Sequence, residues 1–143
     1  MDGSSVATRR TLLRCLSASA AIALPAAPTW AAPLTIEIVA LSHWPVQNAL
    51  RPVRDFLGSL GDRVKVVELD ADSAAGEQRI KAAGAKGHVP ILLLINGSDR
   101  FKRPDGTEVV FRDFPAKADN PLGLNGAWSV ADFEAAVNAT LSR

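Results

Sequence analysis

The stretch Leu34 to Leu41, LTIEIVAL, limits the possible folds more than any other part of this chain. It is apolar and rich in β-branched residues, and Glu37 is its one charge. A strand buried on both faces reads this way. A second such run, Ile91-Leu92-Leu93-Leu94-Ile95, starts directly after Pro90 and ends in Asn96-Gly97, a turn signal. Helical signals fall between these runs. Val46, Leu50, Val53, Leu57 and Leu60 recur at spacings of four and three, one apolar face of a helix. Pro45 suits its first turn, where a missing N–H costs nothing. Pro52 lies inside the pattern and predicts a kink. Val64 to Leu69 reads as another strand. Asp70, Asp72 and Ser73 then offer N-caps for a short helix that runs through Ile80 and stops near Gly84.

Farther along, Arg100 to Arg103, the turn Pro104-Asp105-Gly106 and Glu108 to Phe114 predict a hairpin. Residues 115–127, rich in Pro, Gly and Asn, predict a loop. Ser129 with Asp132 forms a looser capping box before a last helix lined by Val130, Phe133, Val137 and Leu141. The expected class is α/β: a central mixed sheet flanked by helices, in the order β-α-β-α-β-β-α with a hairpin extension.

The N-terminal residues read as an address. Arg9, Arg10 and Arg14 precede an apolar stretch from about Cys15 to Ala27, and Thr29-Trp30-Ala31 ends in a small residue. This is the pattern of a cleaved export signal, and its apolar part is shorter than the roughly 20 residues a spanning helix needs. Thr8 to Arg14 resembles the twin-arginine export motif, with Arg9 and Arg10 as the pair. Such a signal is read by a receptor and is not an anchor. The expectation is a signal over residues 1–31, a mature domain over 32–143, a periplasmic location and no stable membrane anchor after cleavage. Cys15 is the one cysteine and leaves with the signal. The mature chain then has neither thiol nor disulfide and must hold together by packing. Losing Arg9, Arg10, Arg14 and Asp2 from 16 basic and 15 acidic residues leaves it within one charge of neutral. That balance gives no electrostatic case for nucleic acid as a partner.

The segment VKVVELDADSAAGEQRIKAAGAKGHVPILLLINGSD, Val64 to Asp99, resembles the middle of a thioredoxin: a strand with an Asp-rich turn, a short helix, an apolar residue before proline, an apolar strand and an Asn-Gly turn. The helix carrying Pro52 resembles the family's second helix. The likeness covers Leu34 to Asp99, the last helix loosely, and not the loop from Phe114 to Ala127. It implies a thioredoxin-like fold and sets Trp44-Pro45-Val46-Gln47 over the family's Cys-x-x-Cys. Thiol exchange needs a thiolate, and neither Trp44 nor Gln47 can supply one. The expectation is therefore no enzyme and no catalytic residue. The resemblance further implies a cis Val89–Pro90 bond, with the Val89 backbone open to a peptide and Trp44 beside it as an aromatic contact.

The expected function is a protein- or peptide-binding accessory module without redox activity. Its candidate binding residues are Ser42, His43, Trp44, Pro45, Gln47, His88, Val89 and Pro90. The alternative is a periplasmic metal-binding protein. The chain's two histidines, His43 and His88, would flank one site and take Cu or Zn, with Ser42, Gln47 and Glu68 as the available further ligands. The leading reading needs no cofactor. Glu37 and Glu68 are expected at strand ends reaching solvent. Arg100, Lys102 and Arg103 are expected to form a solvated edge.

Overall fold

The computed structural model describes residues 31–143. The expected export signal, with Arg9, Arg10 and Cys15, lies outside the described residues. Ala31–Arg143 forms a compact unit, and its buried apolar cluster runs from Leu34 to Val137.

The architecture is mixed α/β. Strand β1 (Leu34–Ala40) is central in a three-stranded sheet of order β2-β1-β3. It runs parallel to β2 (Val64–Asp70) and antiparallel to β3 (Ile91–Ile95). All five residues of β3 are buried, as its unbroken apolar run requires. Beyond β3, Leu93 N–H donates to Phe111 C=O at 3.0 Å and Asp113 N–H to Ile91 C=O at 2.8 Å. The chain at Phe111–Asp113 thus continues the sheet by a bridge between Leu92 and Arg112. A separate hairpin joins β4 (Arg100–Lys102) to β5 (Glu108–Val110).

Helices cover both faces. Helix α3 (Ala74–Ala82) packs on β1 and β2. Helix α2 (Arg51–Ser59) packs against α4 (Val130–Leu141), and its Leu57 shares a cleft wall with Val64 and Val66 of β2. The predicted kinked helix is two helices, α1 (Trp44–Ala49) and α2, meeting at Leu50. Pro52 cannot donate to the carbonyl one turn back. It lies in the first turn of α2, where that donor is not needed.

The predicted caps are present. Ser73 Oγ accepts from Gly76 N–H at 3.0 Å. Ser129 and Asp132 form the full capping box. Phe111 meets Trp128 and Phe133 edge to face, with centroids 5.9 and 5.4 Å apart. The Trp128 indole N–H is shared between the carbonyls of Arg112 and Asp113, so its burial leaves no polar atom unmatched.

Two charge expectations are corrected. Glu37 is in the middle of β1, not at its end, and Arg79 of α3 grips it through bonds of 2.6 and 2.7 Å. That partner makes an acid tolerable on a covered strand. Arg103 is no mere solvated edge: its guanidinium forks the Asp132 carboxylate at 2.8 Å on both arms, tying the hairpin to the start of α4.

Candidate functional site

Strands β1 and β2 are parallel, so their carboxyl ends lie together. Open α/β sheets bind ligands in the crevice beyond such ends. A cleft of about 560 Å³ opens there. Leu41 enters from the end of β1, and Ala71 and Asp72 from the end of β2. Ile80 comes from α3, and Ala85, His88 and Val89 from the loop before β3. The floor is apolar. Lys81, Lys86, His88, Asp72 and Glu77 supply a polar rim.

The predicted site residues divide around this end of the sheet. His88 and Val89 line the wide cleft. Ser42 and Gln47 line a shallower depression of about 310 Å³, together with Arg54, Glu68 and Asp70. Pro90 joins the two loops, its carbonyl accepting from Leu41 N–H at 3.0 Å. Trp44 opens α1 with Pro45 behind it, and is the most exposed large apolar residue among the described residues, at 67%. His43 is the N-cap residue of α1, but its imidazole makes no capping bond.

The Val89–Pro90 expectation is corrected: no cis peptide bond occurs in the described residues. A trans bond before proline is favoured by about 0.5–1 kcal/mol unless contacts select otherwise. Here Gly87, at φ 80, turns the loop, and the trans chain still delivers the Pro90 carbonyl to Leu41. Val89 also presents less than expected. The whole residue, backbone included, is only 7% exposed and belongs to the core.

The shallower depression holds two separate sets of polar bonds. Gln47 Nε2 donates to Leu41 C=O at 2.7 Å, and its Oε1 accepts from Arg54 at 2.9 Å. Arg54 forks Glu68 with two bonds of 2.9 Å. Glu68 reaches solvent, as expected, but its carboxylate is engaged. Ser42 Oγ donates to Asp70 at 2.7 Å, and Asp72 N–H donates to the other Asp70 oxygen at 3.0 Å. These two bonds, the Ser42 one first, hold the Asp70 carboxyl below its ordinary range, with a smaller contribution from the charge of His43. Ser42 and Gln47 therefore shape the strand end; their polar atoms are already committed.

His43 and His88 are not brought into one cleft wall: His88 lines the wide cleft and His43 is not among its lining residues. Among the described residues no group of three or more His, Cys, Asp or Glu is placed to hold a metal ion. Zinc sites take three or four protein ligands.

Sequence reasoning missed Arg54, Asp70, Ile80 and Ala85. Arg54 was legible in principle, because it lies seven residues after Gln47, two helical turns along the same face. Comparison with family models, with curated proteins and with solved structures returned no match.

Proposed function

We propose that this chain is an exported thioredoxin-like domain that has no thiol chemistry and binds an extended segment of a protein partner. The order β-α-β-α-β followed by an added antiparallel segment and a last helix supports the thioredoxin-like reading. So does the break in the helix near Pro52. The export signal and the periplasmic location rest on the sequence pattern around Arg9 and Arg10.

One observation carries the binding reading. An apolar-floored cleft opens at the carboxyl ends of two parallel strands, and an exposed tryptophan stands at the head of α1, the helix that follows β1. Apolar clefts with a few polar groups at the rim are the usual form of a binding site. Tryptophan is a frequent anchor in recognition, because it buries a large area with few rotors. The ligand suited to it carries an apolar side chain for the floor of Leu41, Ile80 and Val89 and polar groups for the Lys81, Lys86 and His88 rim.

The test is a displayed peptide library selected on the protein, followed by titration of the recovered peptides. Trp44→Ala is expected to weaken them by about 2 kcal/mol, roughly thirtyfold. His43→Ala is expected to change little. Equal affinity for the parent and Trp44→Ala would remove Trp44 from the site. Zinc or copper uptake by the parent, lost in both His43→Ala and His88→Ala, would favour the metal reading instead.

A further inference from the structure

Strand β2 is the outer strand of its sheet, and among the described residues it pairs with β1 alone. The direction of its backbone groups can be read from one bond. Ala71 N–H donates to Ala40 C=O at 3.0 Å. In a parallel ladder, alternate residues of a strand turn both backbone groups to the same neighbour. Lys65, Val67, Leu69 and Ala71 therefore face β1, and Val64, Val66, Glu68 and Asp70 face outward. Val64 N–H is already used, by Gly61 C=O. Val66 is the exposed apolar residue of the strand, at 40%. Beside it runs a cleft of about 340 Å³ lined by Leu57, Gly58, Gly61, Val64 and Val66, with the paired Arg54 and Glu68 at one side. At Gly58 and Gly61 a side-chain carbon would meet nothing within 4 Å, so the cleft has room for foreign side chains. The strand spans seven residues, longer than the clipped edges that discourage pairing.

We infer that β2 pairs antiparallel with β2 of a second copy of this chain, Val66 against Val66. A two-fold axis normal to the sheet keeps each side chain on its own face, so only residues of the same face can stand opposite. Among the outward residues, a register centred on Glu68 sets like charges opposite and is disfavoured. The register centred on Val66 sets valine on valine, Val64 opposite Glu68 and Lys65 opposite Val67, and opposes no like charges within residues 64–68; Asp70 lies beyond the paired stretch, on the side of Asp62 in the turn before β2. The two Val66 residues exchange backbone bonds, and each Glu68 N–H reaches the free Val64 carbonyl. Side chains of the second copy on this face enter the Leu57–Gly61 cleft. The near-zero balance of charge in residues 32–143 leaves little repulsion against self-association. This pairing is independent of the Trp44 corner.

The protein lacking residues 1–30 holds its complete buried cluster and contains no cysteine. Its mass is measured by sedimentation equilibrium over a range of concentrations. The expected result is a monomer–dimer equilibrium that Val66→Lys shifts about tenfold or more toward monomer, with the thermal midpoint unchanged at dilutions where the parent is already monomeric. Val66→Cys is expected to form a disulfide-linked dimer under mild oxidation, since directly opposed residues stand about 5.5 Å apart at Cα, within disulfide reach. Lys65→Cys is a diagonal step from its own copy and is expected to stay uncrosslinked. A monomer at every concentration overturns the pairing. So does a dimer that Val66→Lys leaves intact, or one that crosslinks equally through either cysteine.

Discussion

Gly76 is the residue whose replacement is expected to be felt most for its size. It lies in the first turn of α3, and a side-chain carbon there would overlap the Asp70 carbonyl and Ala71. Those atoms are backbone at the end of β2 and cannot swing aside. The close approach sets α3 against the strand end and so shapes one wall of the wide cleft. Gly76→Ala should cost about 1–3 kcal/mol, the usual range for forcing a methyl group into filled space. Chemical denaturation checks it. A variant as stable as the parent would mean that α3 shifts freely on the sheet. Gly126 is similar, enclosed by Phe114 and Pro115. There the loop is further organised by Asn120, whose amide donates to the carbonyls of Pro115, Ala116 and Leu124 and accepts from Leu122 and Leu124 N–H. The composition of residues 115–127 marked a loop, but one asparagine drawing it together is not visible in composition.

Between elements, the tie of hairpin to α4 carries a pH signature. Asp132 serves two roles: it closes the capping box of α4 and receives the Arg103 guanidinium. Its carboxyl is held down to about 2, mainly by the Arg103 bonds, against burial, and helped by the Ser129 backbone and hydroxyl. A carboxyl depressed by folding stabilises the folded state above its unfolded value, about 3.9. That contribution is lost as pH falls from about 4 toward about 2. Asp132→Ala should lower stability by about 1–2 kcal/mol at neutral pH, the range for losing a helix cap. The gap between variant and parent should close toward pH 2. Thermal melts across that range check it, and a gap independent of pH would show that the carboxylate charge is not what matters. The order of elements was legible because it is local. Apolar runs, capping residues and Pro52 act within a few positions of themselves. The partner of Glu37 was not, because Arg79 lies 42 residues away and only the packing of α3 on β1 brings them together.

At the scale of the whole molecule, the frame of the candidate site was legible and its detail was not. Trp44 at a helix start and His88 and Val89 before the apolar strand lie on loops at the carboxyl end of the parallel pair. The isomer of the Val89–Pro90 bond was not readable, since the intrinsic trans preference is only about 0.5–1 kcal/mol and tertiary contacts can override it. Ser42 and Gln47 looked available because their partners, Asp70 and Arg54, lie on other elements. What remains free to meet a ligand is the cleft floor, its rim and Trp44. Amide and indole chemical-shift mapping with a selected peptide tests this most directly. The predicted result is saturable shifts at Leu41, Ala71, Ile80, Val89 and the Trp44 indole, with little change along Val64–Glu68. Shifts confined to the β2 edge, or spread evenly over the surface, would contradict the placement of the binding site at the carboxyl ends of β1 and β2.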